Sequence, residues 1–303
     1  MTAPDTTAEQ PGEPAGDPAT ALAARLTGTG LRVGYGPRTI IADLDVLVPD
    51  GSFTVIVGPN ACGKSTLLRA LSRLLTPERG EVLLDGRPVH SYKGKEFARE
   101  IGLLPQQSIA PEGITVIDLV ARGRFPYQRM FQQWSDDDQR AVDRALAVTR
   151  LTELSTRPVE ALSGGQRQRV WIAMAIAQGT DILLLDEPTT FLDLTHQIDV
   201  LDLLTDLNRE RGRTVVCVLH DLNLACRYAH HLVAMRTGHI VAEGDPATVV
   251  TEDLVREVFG LDARVVPDPI SGTPLIVPIG RHHTAGGAPV GAGGPDVGVD
   301  PTP

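Results

Sequence analysis

The chain has 303 residues, enough for one large domain or two modest ones, and its apolar content of 42% is ordinary for a globular protein. Lysine and arginine total 28 against 38 acidic residues, so the net charge of −10 argues against broad electrostatic attraction to nucleic acid or to an anionic membrane. The cysteines, 3 in number, lack C-x-x-C spacing, which argues against a disulfide framework or a structural zinc site. From the negative net charge we expect no nucleic-acid partner.

The two ends of the chain differ in composition from its middle. Residues 1–22 are rich in Pro, Gly, Ala, Thr and acids, and residues 281–303 are rich in Gly and Pro. Neither end carries enough apolar surface to order itself, so we expect disordered tails around a folded region at 23–280. We find no basic-then-apolar leader and no apolar run near the roughly 20 residues of a membrane-spanning helix, so we expect a cytoplasmic protein.

Short β-prone segments occupy the first part of the folded region. They lie within 31–48 and then at 81–84 and 88–89, and turn residues such as those at 49–51 separate them. This pattern predicts a small antiparallel sheet.

Three other apolar runs are continuous rather than alternating. They cover 54–57, 182–185 and 214–219. Continuous apolar runs are typical of parallel strands that are covered on both faces. We therefore predict an α/β fold, with a parallel-sheet core beside the small antiparallel sheet.

A phosphate-binding loop follows the first of these runs. Residues 58–66 read GPNACGKST and precede a helix-like segment. The spacing G-x-x-x-x-G-K-[ST] lets backbone N–H groups surround phosphates at the positive end of the next helix. Lys64 would reach the β and γ oxygens, and Ser65 would ligate Mg²⁺. If Ala61 needs a positive φ, alanine costs about 1 kcal/mol there. The predicted nucleotide-binding residues of the loop are Gly58, Pro59, Asn60, Ala61, Cys62, Gly63, Lys64, Ser65 and Thr66.

The pattern becomes helical between about 115 and 157. Ser135 is suited to cap a helix, and the acids at 136–138 would lie in its first turn, where the helix dipole favours negative charge. We predict an inserted helical subdomain at about 108–162.

A second anion-binding segment follows at 162–166, with the sequence LSGGQ, and a helical stretch runs from it to Gln178. Exposed N–H groups and a helix dipole suit an anion. At this point the chain resembles an ATP-binding cassette (ABC) ATPase, over about residues 25–260. In that family the segment contacts the γ-phosphate bound on the opposite subunit, which implies a head-to-tail homodimer with two ATP molecules at its interface. The signature residues are Leu162, Ser163, Gly164, Gly165 and Gln166.

Two carboxylates, Asp186 and Glu187, end the apolar strand at 182–185, where ligands gather in open α/β sheets. The resemblance implies that Asp186 holds Mg²⁺ and that Glu187 is the catalytic base, which polarises the attacking water. ATP and Mg²⁺ are the implied cofactors. The implied metal ligands are Ser65, Gln106 and Asp186.

Two more polar residues match catalytic positions of the family. Gln106 matches the Q-loop glutamine that senses the γ-phosphate, although the adjacent Gln107 leaves this assignment open by one residue. His220, after the run at 214–219, resembles the switch histidine that keeps the water aligned. The resemblance therefore implies a catalytic set of Glu187, His220 and Gln106.

Two further positions complete the resemblance. Asp193 matches the D-loop acid, although Phe191 stands where a small residue is more usual. Tyr35 matches the aromatic residue that stacks on adenine.

Residues 118–127, with the sequence DLVARGRFPY, resemble ATPase subunits of iron–siderophore, haem and cobalamin importers. The resemblance implies a peripheral protein on the cytoplasmic face of the membrane. Two copies would dock beneath two permease subunits that an extracytoplasmic substrate-binding protein feeds. Arg124, Phe125 and Tyr127 are expected to line the groove for a permease helix, because aromatic and Arg anchors are favoured at interfaces.

We hypothesise an ATP-hydrolysing subunit of a ferric siderophore importer. The open alternatives are import of haem or cobalamin, and a soluble ABC ATPase for complex assembly such as iron–sulfur cluster biogenesis. The presence of Glu187 and His220 argues against a non-enzymatic, ATP-gated scaffold. The segment after Gly260 is expected to form a short β-rich extension, and the sequence suggests no function for it.

Overall fold

The computed structural model describes residues 23–106, 109–128, 134–190 and 192–280. The tails that we expect to be disordered, and also Gln107 and Phe191, lie outside these residues. The strands are β1 (Leu26–Tyr35), β2 (Arg38–Ile41), β3 (Val46–Val48), β4 (Phe53–Val57), β5 (Arg79–Leu84), β6 (Arg87–Pro88), β7 (Ile101–Leu104), β8 (Ile182–Asp186), β9 (Thr214–Val218), β10 (His231–Arg236), β11 (His239–Gly244), β12 (Ala263–Pro267) and β13 (Pro274–Pro278).

Helices follow most strands of the larger sheet, as expected for an α/β architecture. Several begin at a capping side chain: Thr115, Ser135, Asp193 and Thr251 each accept a hydrogen bond from the amide three residues later. The helices are α1 (Lys64–Leu71), α2 (Gly94–Glu100), α3 (Val116–Ala121), α4 (Asp136–Val148), α5 (Gly164–Gln178), α6 (Leu194–Arg211), α7 (Leu222–Tyr228), α8 (Pro246–Val249) and α9 (Glu252–Phe259), with 3₁₀ helices at Val89–Ser91, Arg122–Tyr127, Thr152–Leu154 and Val159–Ala161.

The central sheet has the strand order β11-β10-β4-β9-β8-β7. All its pairs are parallel except β10 with β11. Every residue of β4, β8 and β9 is buried, because both faces of these strands are covered. The predicted parallel core is therefore confirmed. Because β4, β9 and β8 are neighbours, the loops after Val57, Val218 and Asp186 meet at one edge of the sheet.

A second, antiparallel sheet lies beside this core, as predicted. Its order is β2-β1-β5-β6, and β3 also pairs with β1. The segment at 88–89 is only partly a strand, because β6 ends at Pro88 and Val89 begins a 3₁₀ helix. The hydroxyl of Ser91 donates to the Pro88 carbonyl oxygen at 2.7 Å, which closes the turn that ends the strand.

The helical segment contains α3, a 3₁₀ helix and α4, which pack against α5. Ser135 caps α4 as predicted, and its side chain and that of Asp138 form a reciprocal capping box. Apolar residues of α3, α4 and α5 join the same buried core as the central sheet. These helices are thus packed onto the parallel sheet that carries the phosphate-binding loop.

One expectation in this segment is wrong, because Arg124 does not line a surface groove. Its side chain is buried, and its Nε donates to Asp138 Oδ1 at 2.8 Å. Its Nη1 donates to the Ala177 carbonyl oxygen at 2.8 Å, and the guanidinium lies 3.8 Å from the ring centre of Tyr127. Arg124 therefore connects the 3₁₀ helix to α4 and α5. Phe125, by contrast, is 62% exposed.

The extension after Gly260 forms the expected β structure, a two-stranded hairpin of β12 and β13. It packs on α7, where Asn223 Oδ1 accepts from the Ile276 amide at 2.7 Å and Arg227 pairs with Asp268. Within the described part of the chain, we find no helix with the length and apolarity needed to cross a bilayer.

Candidate active site

The phosphate-binding loop connects the buried strand β4 to α1. Gly58 has φ 150°, and a Cβ there would lie 2.2 Å from the Met235 carbonyl oxygen, so no other residue fits without a shift of the backbone. Lys64 is only 4% exposed, and its Nζ donates to the carbonyl oxygens of Gly58 at 2.8 Å and Pro59 at 3.0 Å. The lysine ammonium therefore lies within the curl of the loop.

The loop borders a cavity of about 320 Å³ at the carboxyl edge of the sheet. Tyr35 lies at its rim, 44% exposed, and its hydroxyl accepts a hydrogen bond from Arg69 Nη1 at 3.0 Å. Arg38 and Ile40, which sequence reasoning missed, join it from β2 because the β1–β2 hairpin folds over the loop. The residues that line the cavity are Tyr35, Arg38, Ile40, Asn60, Ala61, Cys62, Gly63, Lys64, Ser65, Thr66 and Glu187.

Two residues of the loop have distinctive local environments. Ala61 has φ 61°, the left-handed conformation considered from the sequence, so alanine carries backbone strain of about 1 kcal/mol there. Cys62 is buried, and burial raises the pKa of its thiol despite the nearby Lys64 charge. Cys62 is therefore protonated at neutral pH and fills space beside Gly58 rather than acting as a reactive thiolate.

Asp186 and the loop meet through one hydrogen bond. Ser65 Oγ donates to Asp186 Oδ1 at 2.9 Å, which joins the end of β8 to the start of α1. Asp186 is buried, and this burial raises the pKa of its carboxyl above the ordinary value, although the Ser65 hydroxyl opposes the shift. Two of the three predicted metal ligands, Ser65 and Asp186, are therefore adjacent.

Glu187 is held by three side chains. His220 Nε2 lies 2.7 Å from its Oε1, and its Oε2 accepts hydrogen bonds from Gln106 Nε2 at 2.7 Å and from Thr190 Oγ1 at 3.1 Å. Burial alone would raise the pKa of Glu187, but the hydrogen bonds from His220 and Gln106 outweigh it and hold the pKa below its usual value. The structure thus brings together the three predicted catalytic residues, and it adds Thr190, for which the sequence carried no signal.

The signature segment lies elsewhere on the chain's surface. Ser163 caps α5 by accepting from the Gln166 amide at 3.2 Å, and Gln166 Oε1 accepts from the Ser163 amide at 3.1 Å. Gly164 faces open space. Among the described residues that line the cavity, none comes from 162–166. The phosphate-binding loop therefore lines the cavity, whereas the capped helix start at 162–166 does not.

A family model described as ABC transporter matches residues 41–190. The ferric enterobactin transport ATP-binding protein FepC of Escherichia coli (strain K12) is 56% identical over 258 residues, which are 85% of this chain and 95% of that protein. The chain belongs to the ATP-binding proteins of ABC transporters.

Other members agree with this assignment. The achromobactin transport ATP-binding protein CbrD of Dickeya dadantii (strain 3937) is 55% identical over 257 residues, 85% of this chain and 96% of that protein. A dimeric structure of a bacterial ABC transporter cassette superposes with a TM-score of 0.65 at 28% identity, over 73% of this chain and 98% of that one. The fold is that of an ABC nucleotide-binding domain, and the chain is an ATP-binding ATPase of this family.

The predicted site residues form two groups, one that lines the cavity beside the phosphate-binding loop and one that does not. In this ABC ATPase the phosphate-binding loop, Asp186 and the Glu187 cluster share one edge of the central sheet. Asp193 caps α6 and is largely exposed, and the signature segment starts α5. Neither Asp193 nor the residues at 162–166 line the cavity beside the phosphate-binding loop.

Proposed function

We propose that this ABC ATPase is the ATP-hydrolysing subunit of an importer for ferric siderophores. One observation carries the proposal: relatives named for ferric enterobactin and achromobactin transport are at least 55% identical to this chain over 95% or more of their own length. The proposed ATP-binding domain covers 23–280 and includes the helical subdomain at about 108–162. The proposed location is the cytoplasmic face of the cell membrane.

Hydrolysis rests on Glu187 as general base. The Glu187 carboxylate is ionised near neutral pH, because the hydrogen bonds from His220 and Gln106 hold its pKa low. The ionised form is the one that would accept a proton from the water that attacks the γ-phosphate. Gln106 and Thr190 bond to one carboxylate oxygen while His220 contacts the other, which fixes the direction of the accepting lone pairs. Lys64, held inside the loop, supplies positive charge for the phosphates.

A divalent cation fits the oxygen donors beside the loop. The Ser65 hydroxyl and the buried Asp186 carboxylate are hard oxygen ligands 2.9 Å apart, and the Gln106 amide oxygen would be the third ligand. Bound Mg²⁺ would neutralise charge on the phosphate oxygens.

The proposed site is completed by a second copy of the chain. The signature segment of one copy would meet the loop-bound ATP of the other, because its capped helix start and exposed glycine amides suit an anion. The isologous C₂ pairing closes on itself and gives two ATP sites. The dimeric cassette with which this chain superposes supports the pairing.

The proposed membrane partners are two permease subunits, supplied by an extracytoplasmic substrate-binding protein. Phe125 is the side chain of the 118–127 segment best suited to a permease contact, since it is exposed and has Lys95 Nζ 4.9 Å from its ring centre. Tyr127 is only partly exposed and packs on Arg124. We therefore place the permease contact at Phe125 rather than at Arg124.

The test combines partner capture with uptake. Glu187→Gln protein, expressed in its native cell and trapped with ATP, is expected to co-purify with a polytopic membrane protein. Cells lacking the chain should lose uptake of radioactive iron supplied as ferric enterobactin, and the wild-type gene should restore it whereas Lys64→Ala should not. His90→Leu, a change at an exposed residue that does not line the cavity beside the loop, is the matched control and should restore uptake.

The alternatives give different outcomes in the same experiment. If cells lacking the chain lose cobalamin or haem uptake but keep siderophore uptake, the cargo is cobalamin or haem and not a ferric siderophore. Recovery of soluble partners alone would favour an ATPase for complex assembly. Unchanged ATP hydrolysis in both Lys64→Ala and Glu187→Gln would refute the assigned site.

A further inference from the structure

The imidazole of His196 contacts the D-loop acid. Asp193 Oδ1 accepts a hydrogen bond from the His196 backbone amide at 2.9 Å, and His196 Nδ1 lies 2.6 Å from the same oxygen. These hydrogen bonds, the backbone one first, hold the pKa of Asp193 below its usual value, so Asp193 is ionised at neutral pH. An ionised carboxylate accepts only, so Nδ1 carries the donated proton. The ring therefore restrains a carboxylate that is otherwise largely exposed.

The same ring contacts the signature helix on its other side. A Cβ on Gly165 would lie 2.7 Å from His196 Cδ2, 3.0 Å from Cγ and 3.2 Å from Nε2. Gly165 lies within α5 and has no positive φ, so a side chain at this position would be opposed by the His196 ring and not by the backbone conformation. The neighbouring Gly164 would accommodate a Cβ freely. His196 thus occupies the space that the absent Gly165 side chain leaves.

We infer that His196 is a positioning residue that joins Asp193 to the signature helix, so that both engage the second copy of the chain as one preorganised surface. The inference rests on the proposed dimer. Without the ring, Asp193 gains side-chain freedom and the start of α5 loses a packing partner, and dimer closure has to order both. The expected defect therefore lies in dimer closure, while ATP binding to a single subunit stays intact.

Three substitutions separate the hydrogen bond from the packing. His196→Leu keeps apolar bulk and removes the donor, His196→Asn keeps a donor near the Nδ1 position, and His90→Leu removes an exposed histidine elsewhere. In a Glu187→Gln background, His196→Leu should weaken ATP-induced dimerisation by up to about ten-fold, as expected when association has to order one additional side chain. His196→Asn should recover most of that loss, and His90→Leu should match the parent.

Kinetics in the wild-type background distinguish positioning from general damage. His196→Leu should lower kcat about ten-fold, while the ATP dissociation constant of the single subunit changes by less than about two-fold. A residue that only supports folding would instead lower ATP binding and hydrolysis together, and asparagine would not restore hydrolysis.

Gly165 supplies an independent test of the contact. Gly165→Ala should lower the Tm of the nucleotide-free protein when His196 is present, and should lower it much less in a His196→Ala background, where the added methyl has room. Gly94→Ala, at a helical glycine whose added Cβ meets nothing within 4 Å, is the matched control and should not depend on residue 196.

The outcomes keep this inference separate from the proposed function. If Glu187→Gln protein does not dimerise with ATP and the wild type does not hydrolyse ATP, the proposed function fails. If both occur and His196→Leu equals the wild type in dimerisation and kcat, the positioning role of His196 is overturned. Equal loss of Tm from Gly165→Ala in both backgrounds would overturn the contact itself.

Discussion

Replacing Asp138 by asparagine tests the buried ion pair that holds the helical subdomain together. The side chains of Arg124 and Asp138 are 8% and 6% exposed, and Nε and Oδ1 lie 2.8 Å apart. Breaking a buried pair from one side typically costs about 3–5 kcal/mol, because the remaining charge is left without its partner. Arg124 keeps its bond to the Ala177 carbonyl oxygen and its contact with Tyr127, so we expect the lower end, about 3 kcal/mol.

Urea unfolding followed by circular dichroism measures this loss. Asp137→Asn is the matched control, since Asp137 is 82% exposed and pairs with Arg140 at the surface, where such pairs contribute about 0–1 kcal/mol. Arg124→Met and the double variant complete a cycle, and the coupling between Arg124 and Asp138 should be about 2 kcal/mol or more. A cost below about 1 kcal/mol for Asp138→Asn, or strictly additive single effects, would refute the reasoning.

The same pair predicts a pH dependence with a definite sign. Burial would raise the pKa of Asp138, but hydrogen bonds from Arg124 and Ser135 outweigh it and lower the pKa. The stabilisation is therefore fully present above the unfolded-state pKa of about 3.9 and is lost as the pH falls through the lower folded-state pKa. The difference between wild type and Asp138→Asn should stay constant from about pH 8 to 5 and shrink below about pH 4.

Three further changes test local features of the site and its support. Ala61→Val should destabilise the fold by more than about 1 kcal/mol in urea unfolding because a β-branched residue is strained at φ 61°, whereas Ala61→Gly should stay within about 1 kcal/mol of wild type. Thr190→Val should lower kcat about three- to ten-fold through loss of its bond to Glu187, with ATP binding retained in a titration. Asn223→Ala should accelerate amide exchange at Ile276 about ten-fold, because that amide donates to Asn223 Oδ1; an unchanged exchange rate would show that the hairpin does not depend on this contact.

The sequence was sufficient where a local pattern has a single physical cause. Continuous apolar runs predicted the parallel strands, and Ser135 with the acids after it predicted the start of α4. It was insufficient where the deciding contact is distant. Arg124 is buried because it meets Asp138 14 positions away and Ala177 53 positions away, and a basic residue between aromatic residues in the sequence gives no sign of such partners. The role of His196 could not be predicted from the sequence either, because its contact with Gly165 depends on how α5 and α6 lie relative to each other.

Asp186 and Glu187 are neighbours in sequence, yet the fold gives them separate environments. Asp186 is the last residue of β8 and faces Ser65, whereas Glu187 has φ 54°, a conformation that costs a non-glycine residue about 1–3 kcal/mol and persists only where surrounding contacts enforce it. His220, Gln106 and Thr190 supply those contacts. The turn at Glu187 therefore directs the Asp186 carboxylate to the phosphate-binding loop and the Glu187 carboxylate to these three side chains.

As a result, the pKa of Asp186 is raised while that of Glu187 is lowered, and opposite shifts of this kind are typical of adjacent groups with different roles in one reaction. Without the strained turn, the two acids would follow the alternation of an extended strand, and Glu187 would be directed away from the three side chains that orient it.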